Sequence, residues 1–299
     1  MTAGHEIQLS IVIANYNYGQ YLQQAIESIV TQCQGCCNDK ENRGGLMVTS
    51  LSAVEIIVID GGSNDESIDV IKRNEDKISY WVSERDKGQS DAFNKGFRVA
   101  RGKYLTWLNA DDIFLPGALN KIISAFESHP ACDWFSSNMV RFRNDGTITE
   151  IGWGPHALPR IVQTFRSPIV TFGPSTFFSK AAFEKVGAMN VDAHYLMDTD
   201  YWVRMKRLGY RQRRINVFCW GFRMHEESKT AEFDGHSVGK KAAAGIARER
   251  EYIRDVLGYK MSAWGRILSL VFRVLDLSLM KKFLYGFRYR KITQLGARI

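Results

Sequence analysis

The sequence predicts an open α/β fold, with a buried sheet that presents its ligand at the carboxyl ends of its strands. Three observations predict it. Apolar strand-like runs recur at residues 9–14 (LSIVIA), 55–60 (EIIVID) and 103–108 (KYLTWL), and each gives way to polar residues. Helical stretches lie between them, and the last run empties into Asn109, Ala110, Asp111 and Asp112. Open α/β sheets bind ligands at that edge.

The first strand closes with Asn15, Tyr16, Asn17, Tyr18 and Gly19, ahead of a helical stretch at 21–32. Residues 33–53, with Gly44, Gly45 and several charges, read as a flexible insertion. Its Cys33, Cys36 and Cys37 have no neighbouring Cys/His pair to complete a zinc site. The second strand ends in Asp60, and Gly61, Gly62, Ser63, Asn64 and Asp65 follow as a turn of small residues. Residues 82–112 then run loop, helix (89–100) and strand into the acids. In extended chain Asn109 and Asp111 fall on one side, so two oxygen donors can face a hard cation such as Mg²⁺ or Mn²⁺. Asp112 adds a carboxylate that is easiest to keep ionised beside positive charge. The competing reading is that Asp111 or Asp112 caps a helix starting near Pro116.

LSIVIANYNYGQYLQQAIESIVTQ, VEIIVIDGGSND and SERDKGQSDAFNKGFRVARGKYLTWLNADD together resemble the inverting nucleotide-sugar glycosyltransferases of family 2. GPSTFFSKAAFEKVGAMN, MDTDYWVRMKRLGY and FRMHEESKT extend the resemblance in family order over residues 8–230. It implies a GT-A fold, a mixed, mostly parallel sheet flanked by helices, over residues 1–235, while charge and periodicity mark residues 236–299 as a basic amphipathic helical extension. It also implies roles. Ala14, Asn15, Tyr16 and Asn17 lie beside the nucleobase, and Asp60, next to Gly61, accepts a hydrogen bond from its ring N–H. Asn109, Ala110 and Asp111 match the metal motif, His225 adds a ligand to the ion or the phosphates, and Lys87, Gln89 and Asp91 lie near phosphate or sugar. Asp198 takes the proton from the acceptor hydroxyl, with Asp200 as the alternative base. Three positions depart from the commonest pattern. Gly61 replaces the second acid of a pair, Asn109 the first acid of the metal motif, and Met197 a glutamate before the base.

Each role has a plainer rival. Asp60 can start the Gly61 turn. Asp91, Asp198 and Asp200 can be first-turn acids that favour a helix dipole. Lys87 can be merely solvated, and His225 a hydrogen-bonded structural residue. Trp107, Trp134 and Trp202 sit in apolar runs and read as core, leaving Trp153, between glycines, as the better sugar platform.

A chain of 299 residues, 45% hydrophobic, suits one α/β domain with an extension. Its start lacks the basic-then-apolar pattern of a secretory signal, and five cysteines without exported context suggest reduced thiols in the cytoplasm. Residues 240–299 hold 14 Lys/Arg against 4 Asp/Glu, so the whole net charge of +8 resides there. Within 264–287, Arg266, Ser269, Arg273 and Asp276 trace a polar stripe on a greasy helix. These charges argue against a spanning helix and suit either an anionic membrane surface or packing on the catalytic domain. No nucleic-acid motif accompanies them. The expectation is a metal-assisted transferase, peripheral on the inner face of a membrane. It would move a sugar from a nucleotide diphosphate, UDP above all, to a glycan or lipid-linked acceptor of bacterial surface polysaccharide. Two rivals stay open. A sugar-nucleotide-forming nucleotidyltransferase would carry a basic glycine-rich loop where ANYNYGQ has no Lys or Arg, and a non-catalytic scaffold has only Asn109 in its favour.

Overall fold

A computed structural model describes residues 6–34, 53–152, 173–226 and 240–260, with 262–264, 267, 271, 284–285 and 288–297 beyond them. In chain order the elements are β1 (Leu9–Asn15), α1 (Gly19–Gln34), β2 (Val54–Asp60), α2 (Ser67–Arg73), β3 (Tyr80–Ser83), α3 (Gln89–Val99), β4 (Tyr104–Asn109) and β5 (Ile113–Phe114). They continue with α4 (Ala118–Ser128), β6 (Trp134–Arg143), β7 (Ile148–Gly152), β8 (Thr176–Ser179), α5 (Lys180–Val186), α6 (Met197–Arg207), β9 (Arg213–Met224) and α7 (Lys240–Asp255). The strands form a sheet in the order β3-β2-β1-β4-β8-β6-β9-β5, with β7 on β6. Its β3-β2-β1-β4 block is parallel, and β8 then runs antiparallel to both β4 and β6. This mixed α/β sheet is the GT-A architecture.

Alternation along each strand supplies both faces of the sheet. Ile11, Ile13, Ile56 and Val58 join the apolar stripe of α1 in one core, while Val12, Ile57 and Ile59 meet Phe93 and Phe97 of α3 in the other. Helix α3 rests so close to the sheet that a Cβ on Gly96 would lie 2.2 Å from Val12 Cγ1. Trp107, Trp202 and Trp134 stack in that order at 5.5 Å spacing within the second core, which makes them packing residues.

Two local expectations are corrected. Helix α4 begins at Ala118, and its N-cap is Gly117 in the left-handed region (φ 73°) with no side-chain cap, so neither Asp111 nor Asp112 caps it. The chain after β4 is not extended either: Asp112 N–H donates to Asn109 O (3.1 Å), closing a tight turn. Turn geometry, not strand alternation, therefore brings Asn109 and Asp111 together.

The tail does not hang free at its described ends. Ile253 and Leu257 are buried with Val203 of α6. At the far end, Arg290 O accepts from Ile148 N–H (2.8 Å) and Ile292 is fully buried against Ile113 and Phe142. A division at 235/236 thus separates segments that share packing. Cys36, Cys37, Gly44, Gly45, Trp153, residues 227–230 and the stripe Arg266, Ser269, Arg273 and Asp276 lie outside the described residues. Among the described residues, no helix is long and apolar enough to cross a membrane.

Candidate active site

Parallel pairing aligns the strand ends. Asn15 lies opposite Asp60, Ala14 opposite Asn109, and Asp60 opposite Ser83, so the polar residues that follow β1, β2 and β4 converge on one edge. They open on a cleft of about 660 Å³. One wall is made by strand ends and the loop before α3: Ala14, Asn15, Tyr16, Tyr18, Asp86, Gln89, Asn109 and Asp111. The other is made by Tyr195, Leu196, Met197 and Asp198 at the start of α6, together with Trp220, Ile246 and Arg250.

The turn after β4 is held from several sides. Asn109 Oδ1 accepts from Gln89 Nε2, and its Nδ2 donates to Asp112 Oδ2 (2.8 Å). Asp112 is fully buried, and its Oδ1 accepts from Arg223 N–H (3.0 Å). Burial first, and then the neighbouring Asp111 carboxylate, push the Asp112 pKa well above the usual range. Arg223 Nε donates to Asp111 O (2.9 Å), and its guanidinium lies over the rings of Tyr21 (5.0 Å) and Phe142 (4.8 Å).

These contacts fix the Asp111 side chain beside His225, whose Nε2 lies 3.1 Å from Asp111 Oδ2. The imidazole packs against Tyr21 (4.8 Å) and Tyr18 (5.4 Å). Asp111 Oδ1 is buried with no hydrogen-bond partner among the described residues, a costly state that a cation would relieve. A carboxylate and an imidazole suit Mn²⁺, and a divalent ion held by one or two protein groups completes its shell with substrate phosphate and water. The donor set therefore fits, although the described residues contain no cluster of three or more His, Cys, Asp or Glu. Asn109 is already engaged through both amide atoms.

Asp60 occupies a different position from the one the resemblance implies. It is fully buried, does not line the cleft, and accepts five hydrogen bonds. Asn15 Nδ2 (2.7 Å) and Ser63 Oγ (2.5 Å) donate to Oδ1, and Ser83 Oγ (2.6 Å) and the N–H groups of Gly62 (3.1 Å) and Ser63 (2.9 Å) to Oδ2. The turn-forming rival describes this geometry. Asn15 is the residue that reaches the cleft, with Oδ1 lacking a partner among the described residues.

Helix α6 separates its two acids. Asp198 is half-buried on the cleft wall; Thr199 N–H (2.6 Å) and Thr199 Oγ1 (3.2 Å) donate to its Oδ1. Among the described residues no hydrogen bond engages Oδ2, and burial raises the pKa of the group. Asp200, the alternative base, lies off the cleft, 1% exposed, with Oδ1 ion-paired to Arg204 at 3.0 Å and Oδ2 buried without a partner among the described residues. The start of α6 is itself held by α7. The buried Glu249 carboxylate accepts from His194 N–H (2.8 Å), Tyr195 N–H (3.0 Å) and Leu196 N–H (2.7 Å). Gly245 permits the approach, since a Cβ there would sit 2.5 Å from the Tyr195 ring.

Several expected residues stay outside the cleft. Asp91 Oδ2 accepts from Lys87 N–H (3.1 Å), so Asp91 is a first-turn acid of α3 and Lys87 is exposed beside it. Asn17 pins a loop, its Oδ1 accepting from Asn64 N–H (2.9 Å). Ala110 is buried with its N–H on Ala14 O (3.1 Å), and Gly61 N–H donates to Asn15 O (2.8 Å). Conversely, the motifs assign no role to Asp86, Ile246 and Arg250, which line the cleft, or to Arg223 and Glu249, which brace it. Arg223 stands two residues before His225, which is a usable signal; nothing local marks Glu249.

The family model described as glycosyl transferase family 2 matches residues 10–187. An uncharacterized glycosyltransferase of Nostoc sp. is 26% identical over 270 residues, 84% of this chain and 76% of that one. The Escherichia coli UDP-Glc:alpha-D-GlcNAc-diphosphoundecaprenol beta-1,3-glucosyltransferase WfaP is 23% identical over 231 residues, 75% of this chain and 80% of that one. Among solved structures, Staphylococcus aureus TarS 1–349 in complex with UDP is similar with a TM-score of 0.56, at 12% identity, over 83% of this chain and 72% of that one. The mannosyltransferase PcManGT of Pyrobaculum calidifontis, in complex with GDP-Man and Mn²⁺, has a TM-score of 0.52 at 14% identity, over 92% of this chain and 76% of that one.

Proposed function

From the premise that the chain belongs to glycosyl transferase family 2, we propose that it is an inverting, metal-assisted transferase acting on a UDP-sugar and a lipid-linked glycan acceptor. One observation carries this reading: Asp111 and Asp198, 87 positions apart in the sequence, line the same cleft, one after a strand end and the other at the start of α6. A single in-line displacement needs both kinds of group in one site, a base on one side of the anomeric carbon and charge stabilisation on the other. Asp198 Oδ2 takes the proton from the acceptor hydroxyl as its oxygen attacks, and the bond to the diphosphate breaks on the far side. Configuration inverts. Asp111 and His225 would hold Mn²⁺ or Mg²⁺, which supplies positive charge to the departing diphosphate. Asn15 and Tyr16, which line the cleft at the end of β1, would receive the nucleobase.

Support for a lipid-linked acceptor comes from the tail. Trp264, Ile267 and Val271 are helical, spaced by three and four, and 74%, 51% and 44% exposed, in a segment of net positive charge. Such a face suits the surface of an anionic bilayer. WfaP, by its name, acts on a diphosphoundecaprenol-linked sugar.

The test is release of free UDP from a panel of UDP-sugars, with and without Mn²⁺, in the presence of a lipid-diphosphate acceptor. Metal-dependent release that requires the acceptor supports the reading; no release from any donor would overturn it. Co-sedimentation with phosphatidylglycerol vesicles, lost in a Trp264→Asp/Ile267→Asp variant, tests the membrane contact. Equal sedimentation of both proteins would remove it.

A further inference from the structure

Gly61 stands where the resembled family commonly has the second acid of a pair. The structure fills that space from another segment. A Cβ built on Gly61 would lie 2.8 Å from Asp86 Oδ2 and 3.2 Å from Tyr16 Cδ2, so the Asp86 carboxylate and the Tyr16 ring close over a residue with no side chain. Asp86 is anchored by one oxygen, its Oδ1 accepting from Gly88 N–H (2.7 Å). No hydrogen bond to Oδ2 is present among the described residues. Asp86, Asn15 and Tyr16 all line the cleft, and Tyr16 is 60% exposed, which leaves a ring face for stacking. Asp60, by contrast, is buried and spends both oxygens on five protein donors.

We propose that Asp86, in place of Asp60, is the carboxylate that reads the nucleobase, its Oδ2 accepting the ring N–H of a uracil stacked on Tyr16. The inference rests on the nucleotide-sugar reading of the cleft. A carboxylate oxygen at this place favours a base that presents a ring N–H. It disfavours cytosine, whose corresponding nitrogen is an acceptor and would face it without a proton between them.

The test is calorimetric binding of UDP, CDP and N3-methyl-UDP, with Mn²⁺, to the full chain and to Asp86→Asn. The asparagine keeps an oxygen for Gly88 N–H and presents an NH2 where Oδ2 was. The wild type is expected to bind UDP at least tenfold more tightly than either analogue. Asp86→Asn should lose tenfold or more for UDP, become insensitive to N3-methylation, and narrow or invert the preference over CDP. The double variant Gly61→Asp/Asp86→Ala moves a carboxylate into the same space from the other side and should restore preference for UDP. Retention by Asp86→Asn of both UDP affinity and the N3-methyl penalty would overturn the proposal. Failure of the wild type to bind any of the three nucleotides would instead bring down the nucleotide reading beneath it.

Discussion

The two walls of the cleft are built differently. On the strand-end wall, Asn15 and Asn109 are the last residues of their strands, Tyr16 and Asp111 follow one or two positions later, and parallel register aligns them. The helix wall has no such local logic. Asp198 is placed by the start of α6, and that start is held by Glu249, 53 positions downstream of Leu196 on α7. Ligand-binding geometry that follows from strand register is robust to events elsewhere in the chain, whereas the wall carrying the proposed base depends on a distant tertiary clamp.

The sharpest break of this contrast is Asp198→Asn. Loss of a positioned general base costs roughly 10²–10⁴-fold in rate, and donor affinity, a property of the other wall, should be nearly unchanged. A turnover assay beside calorimetry checks both. The same substitution should leave Tm equal or higher at neutral pH. Burial raises the Asp198 pKa above its unfolded value, so stability associated with the protonated form is lost as pH rises through the folded pKa. An amide removes that cost. In the wild type, the rate should fall on acidification at a pH above the ordinary aspartate value of 3.8, because the base protonates early.

Next in size is Asp111→Ala, which strikes the strand-end wall alone. Donor affinity should lose its dependence on Mn²⁺, and identical titrations of variant and wild type, with and without metal, would remove Asp111 from the metal site. Glu249→Ala tests the clamp. Leaving backbone N–H groups at the head of α6 without their charged acceptor should cost about 2–4 kcal/mol in denaturant unfolding, together with a fall in kcat larger than any change in donor affinity. Equal effects on the two walls would show that α7 supports the whole domain. The smallest effect is expected for Asp200→Asn, which keeps an oxygen for Arg204 and removes a carboxylate whose pKa burial raises, so Tm should change little and turnover should stay within a few-fold. Abolished turnover would return Asp200 to the chemistry.

The fold was legible because its signals are local. β-branched runs such as EIIVID form strands wherever they are buried, and the apolar spacing of α1 requires one face against the sheet. The family resemblance named residues on both walls, Asp111 and Asp198 included. It misplaced others for reasons visible in the packing. Asp60 ends its strand as expected, but three hydroxyl- and amide-bearing neighbours, Asn15, Ser63 and Ser83, converge on it and saturate it. Asp91 and Lys87 sit in the right motif, yet the first turn of α3 engages them with each other. Equally, Asp198 and Asp200 are alike as letters, and only the rotation of α6 turns one to the cleft and the other to Arg204.

The sequence by itself determined the order of strands and helices, the polar strand ends, and the residue types able to meet a diphosphate, since these rest on periodicity and on groups adjacent in the chain. Tertiary structure alone decided which carboxylates keep an open oxygen. That depends on which donors arrive from other segments and on where the open oxygen lies: five donors reach Asp60, an arginine takes one oxygen of Asp200 away from the cleft, one oxygen each of the cleft-lining Asp86, Asp111 and Asp198 has no hydrogen-bond donor among the described residues, and Glu249 is consumed in holding a helix in place.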